Sequence, residues 1–419
     1  MTRLWVVVIL LSGQTLAAPI DTRVHLGVAS CAAGVCHGKG AQDQQSNVWL
    51  NEFRIWSADD RHARAYQTLL TDESKTIAAK LGLPSAQGAK ICLDCHADNV
   101  QTSKRGPKFQ ISDGVGCEAC HGGAESWIET HTEPDATHRS NLAQGMLATE
   151  DINVRAQICL SCHLGTANQF ATHQILGAGH PRLRFELEAF TQNQPPHFSV
   201  DADYRERKGA PSGFEVWRAG QLQAAIRYVE LLNSPLYPGD GWLPDFAFYD
   251  CHACHHPMDD VRWHASRRGQ GLLPGSPRLQ DQHLLMIRAL AEASNPAVVP
   301  TLTQLTDNLL QAGQKGEIAV RGAATELAAW LKQQDWLKSG DDRSTATRKA
   351  IAELAAQGVL TDFAHAEQAF MGLETLSIHI GDARGLQSRL DELFDTVESD
   401  ETFSPSKFRA AARRLLNAL

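Results

Sequence analysis

The sequence predicts a mainly α-helical chain with little regular sheet, in which a cysteine- and histidine-rich part is followed by a cysteine-free helical part. Three observations predict this. Apolar residues after about Arg278 recur at helical spacing, and few stretches alternate apolar with polar as a half-buried strand does. Every cysteine, and fourteen of the eighteen histidines, lies at or before His256. Three apolar stripes mark the helical part: Leu302, Leu305, Leu309 and Leu310; Val320, Leu327, Trp330 and Leu331; and Leu386, Leu390, Leu393, Phe394 and Val397. Such stripes bury against one another in a small bundle. This region offers His283, His365 and His379 as metal ligands, too few to suggest a cofactor role.

The other segments follow from local composition. Arg3 precedes an apolar run over residues 4–11, and small residues at Thr15, Ala17 and Ala18 come next. That pattern reads as a secretory signal peptide over 1–17, too short to span a bilayer. No later segment has the length and apolarity of a membrane helix, so the mature chain is expected to be exported, periplasmic and soluble. Residues 18–264 form the cysteine-rich domain. Residues 265–277, with Arg267, Arg268, Gly269, Gly271, Pro274, Gly275 and Pro277, read as a linker, and 278–419 form the helical domain. A formal charge of −9 excludes a nucleic-acid binder, which needs a basic footprint, and would steer in a basic partner.

All ten cysteines form five close pairs, each followed directly by a histidine. Four pairs read Cys-x-x-Cys-His: Cys92, Cys95 and His96; Cys117, Cys120 and His121; Cys159, Cys162 and His163; Cys251, Cys254 and His255. This is the attachment sequence of haem c. Two thiols one helical turn apart add across the two porphyrin vinyl groups, and the next imidazole reaches the iron. Structural zinc leaves the adjoining histidine unexplained, and disulfides join distant segments rather than five short pairs. The first pair is wider: four residues separate Cys31 from Cys36, which His37 follows. It is a fifth haem site or a local disulfide, so the chain carries five haems, or four if that site is empty.

A second axial histidine would complete each iron. Candidates are His25, six residues before Cys31; His62, on an aromatic-rich helix that ends near Leu70 and carries Trp49, Phe53, Trp56 and Tyr66; and His131 and His138, after the third motif. His173 and His180 bracket a glycine-containing segment that Pro181 stiffens. His252 and His256 read as surface or neighbouring groups, and His197 is undetermined. Arg182 and Arg184 are candidates to pair with haem propionates. Methionine, which raises haem potential as a ligand, is scarce here, with Met146 and Met258 the two examples after Met1 in the haem region.

The run Gly-Val-Gly-Cys-Glu-Ala-Cys-His-Gly-Gly with His131 downstream, the helix carrying His62, and the segment Gly-Ala-Gly-His-Pro-Arg-Leu resemble the cytochrome c-554 family over residues 24–256. The resemblance implies a multihaem cytochrome c domain, helical around closely stacked haems, relaying electrons in the periplasm. It also implies His62, His131 and His180 as distal ligands. The motif at Cys251 and the widened first site depart from its four-haem members. The expected function is therefore electron transfer between redox partner proteins, with the helical domain available to dock a partner. The alternative is a reductase for a small nitrogen or sulfur oxyanion, which needs one iron with an open position and nearby proton donors.

Overall fold

The computed structural model describes residues 23–43, 48–238, 243–255, 272–273, 276–338, 340–360 and 362–419. The expected signal peptide and most of the expected linker lie outside them. Among the described residues the fold is mainly α. Extended pairing is limited to isolated bridges, such as His25 with Arg105 and Tyr249 with Leu279.

Up to residue 208 the helices are short, and polar caps set their starts. Asp151 accepts from the amides of Asn153 and Val154 to open Ile152–His163, and Thr172 accepts from Ile175 to open His173–Ala178. The aromatic segment around His62 was expected to be one helix. It is three pieces, Glu52–Asp59, Arg61–Arg64 and Ala65–Thr68. Asp60 breaks the first from the second because it adopts an extended backbone and caps the amide of His62, a competition that short acidic side chains often win. Trp49 lies outside all three.

The three apolar stripes form the helices Val299–Ala312, Glu317–Lys332 and Ala383–Phe394. Leu302, Leu309, Leu327, Leu331, Leu390 and Leu393 are buried in one core. Helix Gly213–Leu232 joins that core although it lies between the fourth and fifth motifs in sequence. A capping box of Ser212 with Glu215 opens it, and Phe214, Trp217, Leu222, Ile226, Val229 and Leu232 are all buried. Apolar side chains surround it, so no stripe marks it in the sequence. Trp217 Nε1 is buried without a hydrogen-bond partner, but two other buried polar side chains of this helix are paired. Arg227 donates to the Gly165 carbonyl (3.1 Å), and Gln221 bonds both Gln368 (3.1 Å) and His283 Nδ1 (2.8 Å). At Gly220 an added Cβ would sit 2.6 Å from Leu187 Cβ, so the glycine lets helix Leu187–Asn193 approach closely.

Glu186 caps that short helix, accepting from the amides of Glu188 (3.0 Å) and Ala189 (2.8 Å). Burial nonetheless pushes its carboxyl up to about 7, outweighing the amides that favour the charge. An unfolded glutamate ionises near pH 4.3. Between that value and 7 the folded chain binds the proton more tightly, so stability falls as pH rises, by about 4 kcal/mol in all. Glu186→Gln is expected to flatten this decline in denaturant titrations from pH 5 to 8. An unchanged slope would count against the assignment.

Candidate haem sites

The motifs sit where helix geometry serves them. Lys90–His96, Cys117–His121 and Ile152–His163 each end on the motif histidine, so the two thiols lie one turn apart on one face. At the fifth motif the short helix Cys251–Ala253 is followed by a bond from the His255 amide to the Cys251 carbonyl (2.8 Å). The widened first motif makes the same bond, from His37 N–H to Cys31 O (3.1 Å), while Cys36 N–H turns back on Ala33 O (2.9 Å). The two extra residues are thus looped out and His37 returns to the position the strict motifs give it. All ten cysteines are free of disulfides.

Each motif histidine faces a second imidazole. Ring centres are 6.3 Å apart for His37 with His131, His62 with His163, His96 with His180, His121 with His197, and His173 with His255. The angles between ring planes differ widely, at 10°, 90°, 83°, 89° and 32° in that order. Direct ring packing ties separation to tilt, because stacked and edge-on rings have different preferred distances. A constant separation with free rotation is what a linear spacer between two ring nitrogens produces. Two metal–imidazole bonds of about 2.0 Å, with about 1.1 Å from nitrogen to ring centre on each side, place the centres about 6.2 Å apart. The residues fit an iron held between each pair.

Hydrogen bonds hold the far ring nitrogens of five of these histidines. His37 Nδ1 bonds Glu52 (2.9 Å), His62 Nδ1 bonds Asp60 (2.9 Å), and His96 Nδ1 bonds the Ala65 carbonyl (3.0 Å). His131 Nδ1 bonds the Ile128 carbonyl (2.6 Å), and His180 Nδ1 bonds that of Pro181 (2.7 Å). Holding Nδ1 sets ring orientation and leaves Nε2 available to a metal. Burial pushes His121 and His163 down to about 4, which keeps them in the neutral form a metal requires. Hydrogen bonds to Glu52 and Asp60 hold His37 and His62 above the usual imidazole range, as carboxylates facing a ligand histidine do.

The sites also touch one another. Cys31 and Cys117 lie near enough for each to perturb the other's ionisation, and so do Cys95 and Cys162. Gln169 Nε2 reaches both Cys95 Sγ (3.3 Å) and Cys162 Sγ (3.0 Å). Buried Glu118 accepts from the amides of Leu26 (2.8 Å), Gly27 (2.7 Å) and Ala124 (2.7 Å), tying the segment before the first motif to the third. Val115, just before the third motif, donates to the His62 carbonyl (3.0 Å). Asp60 joins the third and fourth sites, accepting from His62 Nδ1 with one oxygen and from Gln194 Nε2 (3.0 Å) with the other.

Of the candidate second ligands, His62, His131, His173 and His180 stand opposite motif histidines, and His25 and His138 do not. His25 turns Nδ1 to Asp98 (2.7 Å), and His138 presents Nε2 itself to Glu150. His197, undetermined from sequence, faces His121. Its signal was the pair Pro195 and Pro196, which stiffens the approach of an imidazole as Pro181 does the exit after His180. Arg182 and Arg184 pair with Glu367, at 2.8 and 3.7 Å. His365 lies between Asp281 (2.7 Å) and Asp362 (2.9 Å), and Arg278 forks onto Asp281, so this buried cluster is balanced by its own cations.

No curated protein and no solved structure matches the chain. Residues 30–122 match the family model described as cytochrome c554 and c-prime. That stretch contains the first three cysteine–histidine motifs together with His62. Over those residues the chain is similar to the cytochrome c554 family, which supports a c-type cytochrome.

Proposed function

We propose that the chain is a periplasmic electron carrier that holds five haem c groups, each through two thioethers and two histidines, and exchanges electrons with redox partner proteins. The observation that carries this reading is the set of five imidazole pairs at one common separation. When bound, haem c supplies a one-electron iron couple. The protein's part is to fix imidazoles such as those of His37 and His62 through Nδ1, to desolvate others such as His121 and His163, and to hold neighbouring sites close, which sets potential and keeps reorganisation small. The export run at residues 4–11 supports the location, since thioether attachment belongs to that compartment. Among the described residues no helix is long and apolar enough to cross a membrane. The oxyanion-reductase alternative needs an open axial position, and each motif histidine here has a facing imidazole.

The mass of the holoprotein is expected to exceed that of the processed polypeptide by five haems; an excess of four would remove the first site. Low-temperature electron paramagnetic resonance is expected to show ferric low-spin iron alone, in two kinds. Near-parallel imidazoles, as at His37 with His131, split the iron d orbitals that accept π donation and give rhombic signals. The three crossed pairs leave those orbitals close in energy and give strongly anisotropic ones. A high-spin ferric signal that shifts on adding nitrite or cyanide would overturn the carrier reading in favour of the reductase.

A further inference from the structure

We propose that the fifth site extends the other four at the end formed by the second site, so that the sites run five, two, four, three, one, with the fifth and first as the terminal positions where partner redox proteins deliver and collect electrons. This rests on the carrier reading above and adds to it the order of the sites and the identity of the ends.

Three of the four junctions come from contacts already described. Sites one and three are joined through Glu118 of the third motif, which accepts from the amides of Leu26 and Gly27 just before the first. Sites three and four are joined through Val115 with His62 and through Asp60 with Gln194. Sites four and two are joined through Gln169 between Cys162 and Cys95, with Cys162 Sγ also 3.8 Å from the Asp94 carbonyl.

The fourth junction is the segment 173–185. His173 faces His255 of the fifth motif, and seven residues later His180 faces His96 of the second. Phe185 then stacks on His163 of the fourth, ring centres 4.6 Å apart. One short run of chain therefore passes sites five, two and four in turn. Its start is pinned to the approach of the fifth motif, because the His173 amide donates to Asp245 (2.9 Å) and its ring meets Phe246 edge-on at 5.6 Å. Helix His173–Ala178 lies against helix Asp72–Lys80, which precedes the second motif in sequence. No bond among those described links the fifth motif to the first or third.

Exposure agrees with the assignment of ends. The residue after the first cysteine is buried at the third and fourth sites, with Glu118 at 4% and Leu160 at 3%. At the first site Val35, between the cysteines, is 85% exposed, and at the fifth Cys254 is exposed. In each passage one electron oxidises the iron it leaves and reduces the iron it reaches, with one donor protein oxidised at one end and one acceptor protein reduced at the other.

The test is a redox titration of the full holoprotein followed through haem-methyl resonances in NMR. His173→Met raises the potential of site five, so that site is reduced first. Repulsion between added electrons falls off with distance, so the midpoint of site two is expected to fall most while sites one and three keep theirs. His180→Met, by moving the potential of one haem, marks which resonances belong to site two. If site one or three shifts more than site two, or none shifts once site five is reduced, the order is wrong. Should His173→Met not assemble, pairwise interactions read from the unaltered holoprotein decide the same question, with the strongest partner of site five expected to be site two. A holoprotein lacking five low-spin irons would instead sink the carrier reading itself.

Discussion

His197→Gly is expected to leave one iron high spin and open to added imidazole, with the remaining irons low spin. His197 is the partner of His121, ring centre to ring centre 6.3 Å, and it arrives on a stretch stiffened by Pro195 and Pro196. Gln194, bonded to Asp60, fixes where that stretch begins. Glycine removes the imidazole without adding bulk, which leaves a space that free imidazole can fill. Rescue by imidazole separates a lost ligand from general damage, since a misfolded site would not recover its low-spin spectrum. The same substitution at His138, whose Nε2 is engaged by Glu150, is expected to leave every iron low spin. Retention of a fully low-spin spectrum in His197→Gly would remove His197 from the ligand set.

Glu118→Ala is expected to lower stability by about 3–6 kcal/mol and to yield protein short of haem at the first and third sites. The Glu118 carboxylate is buried and accepts three amide hydrogens, from Leu26, Gly27 and Ala124. A buried donor left without a partner costs about 1–3 kcal/mol, and bonds to a charged group are stronger than neutral ones. Water cannot repair the loss easily, because Gly27 approaches the Lys108 carbonyl so closely that an added Cβ would be 2.5 Å away. The alanine variant therefore frees the segment before Cys31 from the third motif. Glu118→Gln keeps the oxygen that serves two amides and is expected to fall between. Haem-to-protein ratio and denaturant midpoint measure the effect, and wild-type values for both in the alanine variant would refute the role.

What the sequence discloses here follows from how local each feature is. The motif histidines were legible because thiols and imidazole act within five or seven consecutive residues. The leucine stripes of Val299–Ala312 and Glu317–Lys332 were legible because each helix buries one face. Helix Gly213–Leu232 was not, because it is enclosed on all sides. The second histidines were legible as a set but not as pairs. Spacing cannot reveal that His25 turns to Asp98, 73 residues away, or that His62 crosses to His163. Asp60 shows the same limit, since its side chain interrupts a stretch whose residues otherwise favour continuous helix.

The late position of the core partners of helix Gly213–Leu232 has a consequence for biosynthesis. A ribosome delivers the chain from its N-terminus, and by His197 both imidazoles of four sites have been made, along with His173 for the other. The seat of the Cys251 motif is completed much later, because His252 rests on Phe363 and Phe403 and bonds the Asp400 carbonyl (3.0 Å). On the proposed five-haem reading, cofactor loading would follow a sequence in time, with four attachments able to mature on a partial polypeptide and the last waiting for the C-terminal helices to close.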